Sequence, residues 1–195
     1  MPSTYIQVAS GDVFDPLNPV ASEVLLADIA HSLATSTRYN GHTTEPYSIA
    51  EHVVRASKLT EEWGFSTYVS LWTLHHDDPE VYTGDLCSPL KNDPDFGQRF
   101  RGCEARLMRV ICEHFGLNPK QPRGVEEADR IMLKWEVRDL MPEPTPRARE
   151  IWKPWLNDLG PAPEETLKPW GWRKAKKQYL ARHEQLTERL EKEGM

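Results

Sequence analysis

Cysteine is scarce in this chain, with Cys87, Cys103 and Cys112 as the three among 195 residues. An odd count without a C-x-x-C pair offers neither a disulfide framework nor a thiolate metal site, and it fits reduced thiols in a cytoplasmic setting. No apolar run is long enough to cross a bilayer. The opening stretch MPSTYIQVASGDV lacks a basic segment followed by an apolar one, so no secretory signal is expected. Positive charge is also short. The 24 Lys and Arg stand against 30 Asp and Glu, a formal net charge of −6, which argues against a general grip on duplex nucleic acid or an anionic membrane. Internal repeats and low-complexity tracts are lacking too. What is present, 38% hydrophobic and 28% charged residues, suits one compact domain with a single core.

The pattern of the chain is mainly helical. Tyr5 to Phe14 reads as a small β-hairpin turning at Ser10-Gly11. From Ala21 the period changes, and Leu25, Ile29 and Leu33 share one helical face up to about Ser36. Arg38 to Pro46 is a polar loop. Ser48-Ile49-Ala50-Glu51 then forms a capping box, with Ser48 at the N-cap, Glu51 reaching back and His52 in the first turn. The next helix runs from about Ser66 to His76 and breaks at Asp78-Pro79, where Asp78 is expected to cap a short helix with Pro79 at its first position and Gly84 at its end. Further helices are expected over Phe96–Phe115, Val125–Leu140, Pro146–Leu156 and Trp170–Lys192, with 158–169 as an irregular surface connection. The whole reads as one domain, with the hairpin at about 5–14, catalytic helices at about 22–140 and C-terminal helices at about 146–192.

The chemistry concentrates in LHHDDPE followed by Gly84-Asp85. Adjacent His and Asp at a helix end can reach one cation together, and an imidazole nitrogen with a carboxylate oxygen suits Zn, Mn, Fe, Co or Ni better than Ca or Mg. Two ligands do not complete a site. His52 upstream and Asp129 downstream are the best further candidates, each a metal-capable side chain in an otherwise apolar-patterned helix. Taken one at a time, these residues have plainer readings. Asp129 fits a helix charge pairing with Arg130 or Lys134, and Glu80 a first-turn acid favoured by the helix dipole. His75 reads as a packing or hydrogen-bonding residue, and His31, His42, His114 and His183 as structural or surface histidines. Glu136 and Arg138 read as helix-surface charges, although Glu136 lies two turns after Asp129 and could border a pocket. The tryptophans of the C-terminal third read as core and interface residues.

The series His52, His76-Asp77, Asp129 resembles the H…HD…D ligand set of the HD-domain phosphohydrolases. The stretches RYNGH…YSIAEH, LHHDDPEVYTGDLCSPLK and EEADRIMLKWEVRDLM resemble those of short bacterial 5′-deoxynucleotidases, and still more those of phage deoxynucleoside triphosphohydrolases of the dATP-removing kind. The likeness implies a mainly α HD-domain bundle and a divalent transition metal (Zn, Mn or Co) on His52, His76, Asp77 and Asp129. It implies Glu80 at the catalytic water, and Asp85 either binding a second divalent cation (Mg, Mn or Co) or positioning the nucleophile. Arg38 would meet a phosphate or sugar, and Lys91 a phosphate. Tyr39 stands where relatives place an aromatic against the sugar, which implies a preference for deoxynucleotides. Gly41 and Cys87 replace bulkier neighbours, which implies weak base selectivity with purines accepted.

The expected reaction is hydrolysis of a dNTP to deoxynucleoside and triphosphate by a homo-oligomer that binds neither membrane nor duplex. Attack on a dNMP is the first alternative, and another HD phosphohydrolase acting on a cyclic or alarmone nucleotide the second. A metal-stabilised regulatory scaffold is the non-enzymatic alternative. Glu80 and Asp85 speak against it, because a scaffold needs no carboxylates beside a filled ligand set.

Overall fold

The computed structural model describes residues 4–194. Two short strands, β1 (Ile6–Gln7) and β2 (Val13–Phe14), pair antiparallel with Ile6 opposite Phe14 and Gln7 opposite Val13. Nine α-helices follow among the described residues: α1 (Leu26–Thr35), α2 (Ile49–Glu62), α3 (Thr67–Leu74), α4 (Glu80–Thr83), α5 (Ser88–Lys91), α6 (Phe96–His114), α7 (Val125–Leu140), α8 (Pro146–Asn157) and α9 (Trp172–Glu193). The expected mainly α bundle with an N-terminal hairpin is therefore present.

Helices α1, α2, α3 and α9 pack on one another, and α7 closes over α2 and α3. The reason is legible in the buried stripes. Helix α9 turns Ala175, Tyr179, Arg182 and Leu186 inward, and α7 turns Val125, Ala128, Met132 and Trp135 inward, at the three- and four-residue spacings of one helical face. The hairpin is fastened to α1 by the buried Asp28, whose carboxylate accepts hydrogen bonds from the Ser10 backbone N–H (2.7 Å) and the Ser10 hydroxyl (2.9 Å). Phe14 stacks on Tyr82 at 3.8 Å between ring centroids.

Several local expectations need correction. The helix expected from Ala21 is split into a 3-10 turn at Ala21–Glu23 and α1, so Leu25 lies before α1 and is exposed while Ile29 and Leu33 are buried. Half of the capping box forms: Ser48 accepts from the Glu51 N–H at 3.2 Å, but the Glu51 carboxylate turns to Arg55 and the Trp170 N–H. Asp78 caps nothing. Pro79 takes the N-cap position of α4, and the Asp78 carboxylate is spent on His75 (2.6 Å) and the Tyr179 hydroxyl (2.7 Å). The connection 158–169 is irregular but stapled to α7, with Trp135 donating to the Glu165 carbonyl and Arg138 to those of Pro163 and Glu165.

Candidate metal centre

Three separate pieces of local structure aim side chains at one point. Helix α2 starts at Ser48, which places His52 in its first turn with no exposed surface. Just before it, Thr37 bridges Ser48, the Arg38 N–H donates to the Tyr47 carbonyl (2.9 Å) and the Ile49 N–H to the Ser36 carbonyl (3.1 Å). That short antiparallel contact closes the loop expected at 38–46 and sets Arg38 and Tyr39 beside His52. Helix α3 ends at Leu74, and the tight turns through His75–Pro79 present His76 and Asp77. Helix α7 supplies Asp129 from its second turn; its start is fixed by Gly124, where φ is +98° and an added Cβ would lie 2.8 Å from the Phe65 ring.

Among the described residues, candidate ligand atoms of His52, His76 and Asp129 all lie within 4.8 Å of one another. Asp129 Oδ1 is 3.1 Å from His52 Nε2 and 3.9 Å from His76 Nε2. Asp77 stands outside that tight group but beside it, with Oδ2 3.7 Å from His52 Nε2 and Oδ1 3.4 Å from His76 Nε2. Its Oδ2 also accepts from Arg38 Nη1 at 3.1 Å.

A metal ion suits this set for a specific reason. The far nitrogens of both imidazoles are engaged: His52 Nδ1 lies 2.6 Å from Glu136 Oε1, and His76 Nδ1 lies 2.6 Å from the Thr73 carbonyl. Each hydrogen bond places the proton on Nδ1 and turns the Nε2 lone pair inward, as in histidines that bind metals. Neither buried Nε2 makes a well-directed hydrogen bond, although Asp129 Oδ1 lies 3.1 Å from that of His52, and a cation between imidazoles and carboxylate would satisfy them together. The field favours a cation as well. Burial and Arg38 press the His52 imidazole down, yet Glu136 and Asp129 outweigh them and hold it up at about 9. His76 is raised against its burial by Asp77 and Asp129. Asp129, despite partial burial, is held well below the usual carboxylate range by the two imidazoles.

Beside this group opens a cleft of about 540 Å³ whose lining includes His76, Asp77, Glu80, Lys91, Arg109 and Asp129. Glu80 Oε1 is 2.9 Å from Lys91 Nζ, while Oε2 is buried and unpartnered. Burial, with Asp77 and Asp85 adding to it against the pull of Lys91, pushes the Glu80 carboxyl up to about 8. Asp85 is half-buried beyond α4, close enough for its charge to be felt at Glu80 but apart from the converging group. Lys91 is not a free ammonium, since Glu104 holds it at 3.2 Å as well as Glu80. Arg38 likewise faces carboxylates, with Nε 3.3 Å from Glu136 and Nη2 3.9 Å from Asp129.

No family model matches the chain. Two curated relatives do: the uncharacterized protein YfdR of Escherichia coli K12, 36% identical over 70% of this chain and 72% of that protein, and an uncharacterized protein of Rhodobacter capsulatus, 30% identical over 72% and 74%. A solved structure, the cyanophage S-2L HD phosphohydrolase DatZ bound to dA and one catalytic zinc ion, superposes with a TM-score of 0.52 at 18% identity, covering 82% of this chain and 95% of that one. The chain belongs to the YfdR family and carries the HD-domain fold.

Within this HD domain, sequence reasoning undervalued one residue and missed two. Glu136 is no surface charge but fully buried against His52 and Tyr39. Its signal was the seven-residue step from Asp129, which repeats one helical face. Glu104 and Arg109 reach the cleft from α6, and nothing local in the sequence marks them.

Proposed function

We propose that this HD domain is a metal-dependent phosphohydrolase that cleaves deoxynucleoside triphosphates to deoxynucleoside and triphosphate. The observation that carries the reading is the convergence of two buried Nε2 atoms, neither in a well-directed hydrogen bond, on Asp129 beside an open cleft. His52, His76, Asp77 and Asp129 would hold a divalent transition metal; zinc is the ion named for DatZ. When bound, such an ion polarises a phosphoryl oxygen and makes water acidic enough to attack at neutral pH.

The chain's own residues do the rest. Glu80 takes the proton of the attacking water at Oε2, the oxygen that Lys91 leaves free. Burial raises the affinity of this carboxyl for a proton, and the neighbouring Lys91 favours the ionised form that can accept one. Lys91 keeps Glu80 in place, and Arg109 adds a second cation to the cleft. We assign Asp85 to orienting the nucleophile or holding a second divalent cation, and Arg38 to the sugar or phosphate side.

The preference for deoxy substrates rests on Tyr39. Its hydroxyl donates to Glu136 Oε2 at 2.7 Å, which holds the ring beside the site, where it would crowd a 2′-hydroxyl. A hydroxyl buried there without a partner costs about 1–3 kcal/mol, a discrimination of roughly 10- to 100-fold. Base selectivity is expected to be weak, with purines accepted. We also propose a homo-oligomeric working form.

The test is incubation with dATP, dGTP, dCTP, ATP and dAMP in the presence of Mn, Co, Zn or Mg, with the products identified. Triphosphate release from the dNTPs is the expected result. Equal efficiency on ATP and dATP overturns the sugar argument, and a clear preference for dAMP overturns the triphosphate one.

A further inference from the structure

A carboxylate in the interior of a small protein is costly unless every lone pair is used. Glu136 is such a group, with no exposed side-chain surface, and its two oxygens are divided between two tasks. Oε1 lies 2.6 Å from His52 Nδ1. Oε2 accepts from the Tyr39 hydroxyl at 2.7 Å and faces Arg38 Nε at 3.3 Å. The second set of partners lies on a backbone that the chain adopts reluctantly. Tyr39 and Asn40 stand at φ +55° and +50°, consecutive left-handed positions without glycine, a conformation that side-chain-bearing residues hold only where their surroundings require it. The 3-10 turn Arg38–Gly41 is thus bent so that two neighbouring side chains both meet one carboxylate oxygen.

From this we infer that Glu136 is a positioning residue for the metal centre: it fixes His52 with the proton on Nδ1 and the Nε2 lone pair inward, and the Arg38–Tyr39 turn holds Glu136 to that task. The inference rests on His52 being a metal ligand, as in the proposed function, but not on any substrate. With Oε2 accepting from the Tyr39 hydroxyl and facing the Arg38 charge, Oε1 remains for the imidazole. A carboxylate oxygen accepts and cannot donate, so the bond it makes is the one that requires Nδ1–H. An amide at this position would keep the shape and lose the charge, and its nitrogen would present hydrogens either to His52 Nδ1–H or to Arg38.

The experiment measures Co²⁺ affinity by competitive titration, with no nucleotide present, for the wild type and for Glu136→Gln. The variant is expected to bind Co²⁺ about 10- to 100-fold more weakly, the usual effect of losing a carboxylate behind a metal-bound histidine. Its cobalt absorption bands should also shift, which a loss of packing alone would not cause. If the wild type takes no Co²⁺, the metal reading and this inference fall together. If both proteins bind Co²⁺ equally, this inference alone falls. A second measurement needs no variant: long-range proton–nitrogen NMR on the zinc-loaded wild type. Protonated Nδ1 in His52 supports the inference, and protonated Nε2 overturns it even if Glu136→Gln does not fold.

Discussion

At Glu80 two pulls act on one carboxyl. Burial and the neighbouring Asp77 and Asp85 resist its ionisation, while Lys91, 2.9 Å away, favours it. The balance leaves a group that can trade a proton, so its removal should touch turnover more than binding. We expect Glu80→Gln to retain its metal and to lose about 10²–10⁴-fold in kcat, the ordinary contribution of a general base. Steady-state rates paired with metal content decide this, and near-normal turnover would remove Glu80 from the proton path. Asp77 has the opposite profile. Its oxygens lie 3.7 and 3.4 Å from the two inward imidazole nitrogens. Asp77→Ala should therefore lose metal and activity together, and elemental analysis that finds full occupancy in the variant would show that Asp77 serves only Arg38.

Helix α9 grips the site from behind. The Tyr179 hydroxyl donates to Asp78 (2.7 Å), and His183 Nδ1 lies 3.0 Å from His75 Nε2, so the two residues flanking His76-Asp77 are both moored to one helix. His183 packs on Phe115, and burial, with His75 and His114 adding to it, lowers its imidazole to about 4 from an ordinary 6.5. Because the folded value is the lower one, the unfolded chain binds the proton first. The contribution of neutral His183 is complete above about 6.5 and is lost as pH falls towards 4. Thermal melts across that window should show falling stability, and His183→Gln should flatten the acid limb; an unchanged slope would contradict the account. The helices themselves were largely legible, because Ser48, Ser66 and Thr145 act through their own backbone neighbours. The missed pieces had no such local cause. Ser88–Lys91 is too short to show a period. The left-handed turn at Tyr39 and Asn40 is tied to Glu136, nearly a hundred positions away in sequence, and Asp78 gives up its expected cap to Tyr179 of the C-terminal helix.

Over the whole molecule, the convergence of His52, His76 and Asp129 was legible through the H…HD…D series and the family resemblance it carries, whereas the partners that orient them were not, since a buried glutamate and a surface one look alike in sequence. The tryptophans are a similar case. Trp135 is buried and Trp170 lies under Arg55 and Lys174, while Trp172 is exposed, as are Ile6, Val13, Leu17, Val20 and Leu25 in the N-terminal stretch. A closed homo-oligomer is expected, and light scattering at micromolar concentration that reports a 22.5 kDa particle would count against it. A metal at this centre would have a global consequence as well. Its candidate ligands come from α2, from the turn after α3 and from α7, so an ion there cross-links elements that the unfolded chain holds far apart. An ion that binds only the folded chain adds about 4.1 kcal/mol when present at 1,000 times its Kd. For a protein of this size each kcal/mol moves Tm by roughly 2–4 °C, which gives an expected drop of about 8–16 °C on chelation. Melting the protein after exhaustive EDTA treatment, and again after Zn²⁺, Mn²⁺ or Co²⁺ is restored, measures it. Restoration should recover the lost Tm in the wild type and not in Asp129→Ala, whereas equal melting with and without metal would mean that the four side chains converge without holding an ion.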